Sequence, residues 1–247
     1  RVRFQPAIMA LSDAGEGKMW ISQERTGLGL YDLSRHEVML YSDVLALKSL
    51  ALGSIKQMTE PRREGNVWVI PEGRNLIYEL GREGMRMKHI RTLSLPDKAK
   101  RHFTQTYEDR NGTLWAGTNN GLFTFSLRDN QWHTVCDTLG QVSALKEDKQ
   151  GNLWIGTTNK GLYQQSSKGK CKKIPSSLSI TCLSVQEDSL IWIGTQEGGV
   201  YALNPQTGKL TDHTRLCGLN GNIVNQLEFD VYGHLWIDTN QKLIEYN

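Results

Sequence analysis

The residue types that most often do chemistry, histidine, cysteine and the carboxylates, occur in this chain outside any recognised catalytic or metal-binding motif. There is no Gly-x-Ser-x-Gly nucleophile elbow, no P-loop, no His-Glu-x-x-His site and no carboxylate pair of catalytic spacing. The cysteines lack Cys-x-x-Cys spacing, so we expect free thiols that pack as small apolar residues. The histidines fall at unrelated positions, and His36 and His133 are expected to be exposed. We therefore predict no catalytic residue, no metal and no cofactor.

Tryptophan recurs through the chain at a nearly regular interval. Six of the seven tryptophans lie in closely related segments, and Trp132 is the exception. Successive members of the series are 48, 47, 39, 38 and 44 residues apart: Trp20, Trp68, Trp115, Trp154, Trp192 and Trp236. A period of about 40–45 residues is typical of β-propeller blades, each of which is one four-stranded sheet.

The fourth copy of the repeat shows its strand pattern most clearly. It predicts strands over residues 142–147, 153–157, 162–165 and 171–174, joined by an Asp-x-x-Gly turn and short polar loops. Helical periodicity is absent except over Val44–Leu52, where a short helical turn is expected. The sequence thus predicts an all-β fold, a single β-propeller domain over residues 1–247 with six four-stranded blades.

The repeated Asp, Gly and Trp have structural explanations. A turn aspartate such as Asp109 or Asp148 can accept backbone N–H bonds, and the glycine that follows it can adopt a positive φ. Trp154 and Gly156 point to the same face of their strand. There we expect the indole to fill the gap to a neighbouring blade and the glycine to let backbones approach. The repeat is therefore predicted to be scaffold.

The last copy of the repeat lacks a fourth strand. Its strands are expected near residues 224–230, 235–238 and 242–246. Residues 2–5, ahead of the first inner strand, belong to no blade of their own. The sequence favours a closed six-bladed ring in which residues 2–5 pair with residues 242–246. The alternative is that the six blades belong to a larger ring.

The loops that do not repeat are the candidate ligand site. Loops between second and third strands and entrances to first strands meet at one end of the blades. Their amides, hydroxyls and few charges suit hydrogen bonds to sugar hydroxyls or carboxylates. The candidate residues are Arg25, Arg74, His102, Asn119, Asn120, Gln141, Thr158, Asn159, Glu197, Asn222, Asn240 and Gln241. For each of them, a solvated turn residue is the alternative interpretation.

The charge of the chain argues against a nucleic-acid partner. The formal net charge is +3 over 247 residues, and the basic residues are scattered. Their one cluster, at Lys168, Lys170, Lys172 and Lys173, is expected on an exposed outer strand or turn. No apolar run approaches the ~18 residues of a membrane-spanning helix. The first residues show neither an initiator Met nor a signal peptide, so we interpret the chain as a mature or excised domain.

Residues 108–122, Glu-Asp-Arg-Asn-Gly-Thr-Leu-Trp-Ala-Gly-Thr-Asn-Asn-Gly-Leu, resemble the two-component regulator propeller repeat, as do residues 147–162. The first, second and sixth copies are more eroded. The resemblance implies the periplasmic sensor region of a hybrid histidine kinase of the kind with which gut bacteria detect glycans. It implies an oligosaccharide ligand, with other domains of the receptor or a second protomer as partners. Family rings usually have seven blades, whereas six copies are present here.

Three functional hypotheses remain open, because propellers host all three classes. The first is a non-catalytic ligand-sensing domain. The second is an enzyme, since streptogramin lyases have a similar Trp-bearing repeat and use a metal on one propeller face. That function requires converging His, Glu and Asp side chains. The third is a protein-binding scaffold, which requires an exposed apolar patch, for example around Trp132 or Val44–Leu52.

Overall fold

The polypeptide forms β-strands joined by turns and loops. A computed structural model describes residues 8–23, 27–40, 50, 52–59, 65–95, 101–166, 169, 171–186, 190–219 and 221–246. The elements among these residues are all β-strands, arranged as successive antiparallel sheets of the propeller-blade type. The predicted fold class is confirmed.

Each sheet is a meander in which strands pair in sequence order. The first three sheets contain β1 (Ile8–Gly15), β2 (Lys18–Gln23), β3 (Gly27–Asp32) and β4 (Glu37–Leu40); β5 (Ile55–Thr59), β6 (Val67–Pro71), β7 (Ile77–Glu83) and β8 (Arg86–Leu93); and β9 (Phe103–Glu108), β10 (Leu114–Thr118), β11 (Gly121–Ser126) and β12 (Gln131–Cys136). The last three contain β13 (Val142–Glu147), β14 (Leu153–Thr157), β15 (Gly161–Gln165) and β16 (Cys171–Ile174); β17 (Ile180–Val185), β18 (Ile191–Thr195), β19 (Val200–Leu203) and β20 (Leu210–Asp212); and β21 (Val224–Phe229), β22 (Leu235–Thr239) and β23 (Leu243–Tyr246).

The strand boundaries follow the sequence pattern closely. In the fourth blade three strands begin and end where predicted, and β15 begins one residue earlier. In the sixth blade the three boundaries differ from prediction by at most one residue. Residues 2–5 lie outside the described residues, as does nearly all of Val44–Leu52. The predicted ring closure and helical turn therefore stay predictions.

The chain divides into two compact units. Unit 1 comprises residues 1–116 and 123–133, and unit 2 comprises residues 117–122 and 134–247. The single domain expected over the whole chain stays a prediction.

Four of the repeated tryptophans, Trp20, Trp68, Trp154 and Trp192, pack against the blade that follows them in the same unit. In unit 1, Trp20 shares an apolar cluster with Val67 and Val69 of the second blade. In unit 2, Trp154 packs with Ile193 of the fifth blade in the same way. Trp20 and Trp154 are at most 1% exposed. The predicted role of the indole as a filler between blades is confirmed for these four tryptophans.

The turn aspartate of the fourth blade makes two kinds of hydrogen bond. Its Oδ1 accepts the backbone N–H groups of Gln150 and Asn152, at 3.0 and 2.8 Å. Its Oδ2 accepts the indole Nε1–H of Trp154 at 2.9 Å. Asp148 therefore caps the turn as predicted, and it also satisfies the one polar group of the buried tryptophan.

The same acceptor-to-indole bond, over a spacing of six residues, recurs in three other blades. The pairs are Asp109–Trp115, Gln186–Trp192 and Asp230–Trp236, at 2.8, 3.1 and 3.0 Å. In the fifth blade Gln186 thus takes the aspartate's place. In unit 1, Trp68 donates instead to Oε2 of Glu108 in the following blade, at 2.8 Å.

The glycine two residues after the tryptophan makes room for the next blade. A Cβ added to Gly156 would lie 2.5 Å from Cγ2 of Ile180, the first residue of β17. Two further pairs in unit 2 are equally close: Gly117–Val142 and Gly194–Val224, at 2.5 and 2.6 Å. The predicted close approach is confirmed, but the approaching group is a β-branched side chain rather than backbone.

The cysteines pack largely as predicted. All four are free thiols; Cys182 and Cys217 are buried, and Cys136 and Cys171 are half-buried. Burial raises the pKa of Cys182 to about 12 and that of Cys217 to about 11. Both thiols therefore stay protonated and unreactive near neutral pH.

Replacing Asp148 by Asn should lower the free energy of unfolding by about 1–3 kcal/mol. An amide has one acceptor oxygen and cannot serve both the backbone N–H groups and the indole N–H. Urea denaturation measures the loss, with the exposed Asp137→Asn as control. In a double-mutant cycle with Trp154→Phe, fully additive losses would show that the bond does not couple the two residues.

Acid should weaken the cap of the sixth blade. The hydrogen bond from the Trp236 indole is the main reason that the pKa of Asp230 is lowered. A carboxyl whose folded pKa lies below its unfolded value of about 3.9 stabilises the fold above that pH, and the contribution is lost as the pH falls through the folded pKa. The urea midpoint should therefore fall more steeply in the wild type than in Asp230→Asn between about pH 5 and 2.5. Equal slopes would contradict this.

Gly156→Ala should destabilise the chain by about 1–3 kcal/mol, because the new methyl group would overlap Ile180. Gly53→Ala is the matched control, since nothing lies within 4 Å of a Cβ there. Its effect should stay within about 0.5 kcal/mol. Thermal denaturation compares the two variants, and equal losses would rule out a packing role for Gly156.

Candidate functional site

The loop end of a blade is the end where the loop between its second and third strands meets the start of its first strand. Backbone hydrogen bonds join these two parts. The N–H of Thr158 donates to the carbonyl of Gln141 at 3.1 Å, and the N–H of Asn240 donates to that of Ile223 at 3.3 Å. The structure thus brings the predicted residues Gln141 and Thr158 together. It also pairs the predicted residue Asn240 with Ile223, the neighbour in sequence of the predicted residue Asn222.

In the third to sixth blades, a threonine that ends the second strand holds the loop that follows it. Thr157 Oγ1 donates to the carbonyl of Gly161 at 2.7 Å and accepts the N–H of Lys160 at 3.0 Å. Equivalent hydroxyl-to-carbonyl bonds join Thr118–Gly121, Thr195–Gly199 and Thr239–Lys242. All four threonines are buried. They therefore hold the loop backbone from the inner side, and the other polar side chains of the loop remain at the surface.

A β-bulge at the start of the first strand adds a second polar contact. The register of β13 skips Ser143, whose hydroxyl donates to the carbonyl of Ile180 in the next blade. The register of β17 skips Thr181, whose hydroxyl donates to the carbonyl of Val224 in the same way. In unit 1 the bulge residue Lys56 donates to the carbonyl of Phe103 at 3.1 Å. Bulge residues therefore join the first strands of successive blades.

Two lysines of unit 2 donate hydrogen bonds to backbone carbonyls at the loop ends. Lys160 Nζ donates to the carbonyl of Thr138 at 2.7 Å, and Lys242 Nζ donates to that of Gly218 at 3.2 Å. Both carbonyls belong to the connection from the preceding blade. Neither lysine was among the predicted site residues. Each lies six residues after its tryptophan, and this shared spacing is the sequence feature that could have identified them.

The predicted residues of unit 2 form a largely uncharged polar surface. Asn119, Thr158 and Asn222 are half-buried, and the exposed members are Asn120, Gln141, Asn159, Glu197, Asn240 and Gln241. The amide of Asn159 lies against Gly140, where an added Cβ would stand 2.4 Å from Asn159 Oδ1. Amides offer both donors and acceptors, which is what a polyhydroxylated ligand requires.

In unit 1, the entrance to β9 is held by a residue that was not predicted. Asn75 Nδ2 donates to the carbonyl of Arg101 at 2.6 Å, and Asn75 Oδ1 accepts the N–H of Phe103 at 3.1 Å. These two bonds flank the predicted residue His102, which is exposed. The single asparagine thus fixes the backbone on both sides of the histidine.

The surroundings of this entrance are cationic. Arg74 is exposed, and its guanidinium donates to the carbonyl of Leu50 at 3.2 Å. The guanidinium carbon of Arg101 lies 5.2 Å from the centre of the Phe123 ring. The loop ends of unit 1 therefore carry positive charge, whereas the loop ends of unit 2 carry mainly amide side chains. The predicted residue Arg25 lies outside the described residues.

The other features proposed from sequence have different surroundings. Trp132 is half-buried, with its ring 5.7 Å from that of Phe103 and 5.0 Å from that of Phe125, and its indole donates to the carbonyl of Ser94 at 2.9 Å. It therefore does not form the exposed patch that the scaffold hypothesis expected there. Two of the clustered lysines, Lys172 and Lys173, are exposed on β16 as expected, and Lys168 and Lys170 lie outside the described residues.

Neither a metal centre nor a membrane span is seen in the part of the chain that the structure describes. No group of three or more His, Cys, Asp or Glu side chains is placed to hold a metal ion there. The same residues include no helix of the length and apolarity needed to cross a membrane.

Comparison with known proteins gives one family match. Residues 99–120 and 138–159 match the model of the family described as the two component regulator propeller. These segments hold the turn and second strand of the third and fourth blades, the copies in which the sequence resemblance was most specific. The resemblance is confirmed. No curated protein matches the chain.

Solved structures show the same fold. One, described as the extracellular domain of a one component system, BT4673 from B. thetaiotaomicron, has a TM-score of 0.76 and 21% identity over 97% of this chain. Another, described as the extracellular domain of a hybrid two component system, BT4673, has a TM-score of 0.74 and 21% identity over 97% of this chain. This chain spans only 32% of the length of each.

Proposed function

We propose that this chain is a non-catalytic ligand-sensing propeller in the extracytoplasmic part of a two-component receptor, and that it responds to a glycan. The match of residues 99–120 and 138–159 to the two component regulator propeller carries the proposal. The similar extracellular domains support a location outside the cytoplasm, and the periplasm is the compartment that we propose.

The loop ends are the proposed ligand site. Their backbone is fixed by the buried threonines and by the lysine contacts, so little conformational entropy remains to be lost when a ligand binds. Asn159 and Asn240 are exposed on this braced backbone and supply donors and acceptors for sugar hydroxyls. Arg74 and His102, in unit 1, favour saccharides with carboxylate or sulfate groups.

The remaining parts of the receptor are proposed as partners. The chain spans about a third of the similar extracellular domains, so other domains of the same receptor or a second protomer would surround it. A lyase function would need His, Glu and Asp side chains that converge on a metal, and no observation in the described residues favours it.

Calorimetric titration with a panel of neutral and acidic oligosaccharides tests the proposal. We expect at least one saccharide to bind residues 1–247 saturably. Asn159→Ala should weaken that binding about fivefold, the effect of about 1 kcal/mol for one hydrogen bond between uncharged groups.

Asn111→Ala is the matched control, because Asn111 is an exposed asparagine at the opposite end of its blade. It should leave the affinity unchanged. Absence of binding across the panel would contradict direct glycan sensing by this chain, and equal losses in both variants would contradict a site at the loop ends.

A further inference from the structure

The connection between the fifth and sixth blades is more than twice as long as the other blade connections that lie in unit 2. Residues 213–223 form it, whereas residues 137–141 and 175–179 join the preceding blades. Residue 220 lies outside the described residues. Because the shorter length is enough to join two blades of this unit, the additional residues are not required for the joining itself.

The longer connection carries a leucine that is additional to the one in each shorter connection. The shorter connections have one leucine each, Leu139 and Leu178, and these are buried and half-buried. Leu219 takes that place in the longer connection, where it packs in the apolar cluster of the fifth and sixth blades. Leu216, in contrast, is 71% exposed. Its side chain therefore lies at the surface and leaves the covering of the core to Leu219.

The backbone that carries Leu216 is held by a Schellman motif. The N–H of Leu219 donates to the carbonyl of Thr214 at 3.1 Å, and the N–H of Gly218 donates to that of Arg215 at 3.0 Å. Gly218 has a φ of 65°, the left-handed conformation that this motif requires. Arg215 and Leu216 therefore extend from a backbone whose conformation is already fixed.

The connection lies between the loops of the two blades that it joins. Lys242 of the sixth blade donates to the carbonyl of Gly218 at 3.2 Å. A Cβ added to Gly198 of the fifth blade would lie 2.5 Å from the carbonyl oxygen of Asn222. Four of the candidate ligand residues therefore belong to the connection or to the loops beside it: Glu197, Asn222, Asn240 and Gln241.

The charged side chains around the connection balance one another. Glu197 and Asp212 are exposed carboxylates, and Arg215 and Lys242 are exposed cations. The neighbouring amides add hydrogen-bond donors and acceptors without charge. A pyranose ring carries hydroxyl groups on its edge and apolar C–H groups on its face, so it needs polar groups beside an apolar surface. The side chains at this end of the fifth and sixth blades provide both.

We propose that Leu216 is a recognition residue of a glycan site at the loop ends of the fifth and sixth blades. Its side chain covers the C–H face of an uncharged pyranose, and the neighbouring amides bind the hydroxyl groups of the same saccharide. This role of Leu216 rests on the proposed function and adds to it the class of saccharide and a residue that selects it. An apolar side chain on a fixed backbone loses little conformational entropy when the ligand binds.

Calorimetric titration of residues 1–247 with uncharged oligosaccharides of glucose, mannose, xylose and galactose tests the proposal, with oligogalacturonate as the charged comparison. At least one uncharged saccharide should bind saturably. Leu216→Asn should weaken that binding about fivefold or more, because a polar side chain replaces the apolar contact. Leu216→Met, which is apolar and of similar volume, should retain it. The heat-capacity change on binding should be less negative in Leu216→Asn than in the wild type.

Val231→Asn is the matched control. Val231 is also an exposed aliphatic residue, and it lies in the turn at the opposite end of the sixth blade. Its substitution should leave the saccharide affinity unchanged. Both variants should keep the urea midpoint of the wild type, because neither side chain is buried. Equal losses of affinity in Leu216→Asn and Val231→Asn would overturn the proposal.

Failure of this role of Leu216 is distinguishable from failure of the proposed function. Saccharide binding that is weakened in Asn159→Ala but unchanged in Leu216→Asn would leave glycan sensing in place and overturn the role of Leu216. Leu216-dependent binding that is limited to oligogalacturonate would overturn it in the same way. Absence of binding by every saccharide would contradict the proposed function and the role of Leu216 together.

A contact between protomers is the other use that an exposed leucine could have. Analytical ultracentrifugation of the wild type and of Leu216→Asn measures self-association. Self-association that the substitution abolishes, with the saccharide affinity unchanged, would assign Leu216 to a protein interface and overturn the proposal.

Discussion

The hydrogen bond between a turn carboxylate and the indole of the same blade is the interaction on which the rest of the structure depends. A tryptophan as buried as Trp154 must pair its N–H or leave a polar group unsatisfied in an apolar environment. Asp148 supplies the acceptor, and its second oxygen simultaneously organises the turn. One side chain thus fixes the turn and the orientation of the indole, which explains why aspartate and tryptophan recur six residues apart in the third, fourth and sixth blades.

The orientation of the indole determines how successive blades meet. Trp154 and Gly156 share one face, and the glycine leaves the space that Ile180 enters. Because each such contact involves only adjacent blades, stability in repeat structures is approximately a sum over neighbours. An individual copy of the repeat can therefore vary in sequence without disturbing blades that it does not contact. Gln186 replaces aspartate, with its longer side chain reaching the indole of Trp192, and the fold is retained.

The sequence predicted the strands well and the contacts at the loop ends poorly. Alternation and the Asp-x-x-Gly turn located β13 and β14 to the residue, because both depend on neighbours in sequence. The pairing of Thr158 with Gln141 uses backbone groups and leaves no trace in residue type. Asn75 was missed for another reason. It occurs in one blade only, so no comparison among copies distinguishes it from an ordinary turn asparagine.

Residues that differ from the repeat are informative about function when the structure shows which contact each difference changes. Replacement of an exposed turn residue such as Gln150 changes a solvated position and carries little structural information. Leu216, in contrast, belongs to a connection that is longer than the others of unit 2, and the leucine that packs into the core there is a different one. Its exposure is therefore not a consequence of how the blades pack. The same reasoning separates Lys160 and Lys242, which recur and contact the connection from the preceding blade, from Asn159 and Asn240, whose side chains are exposed.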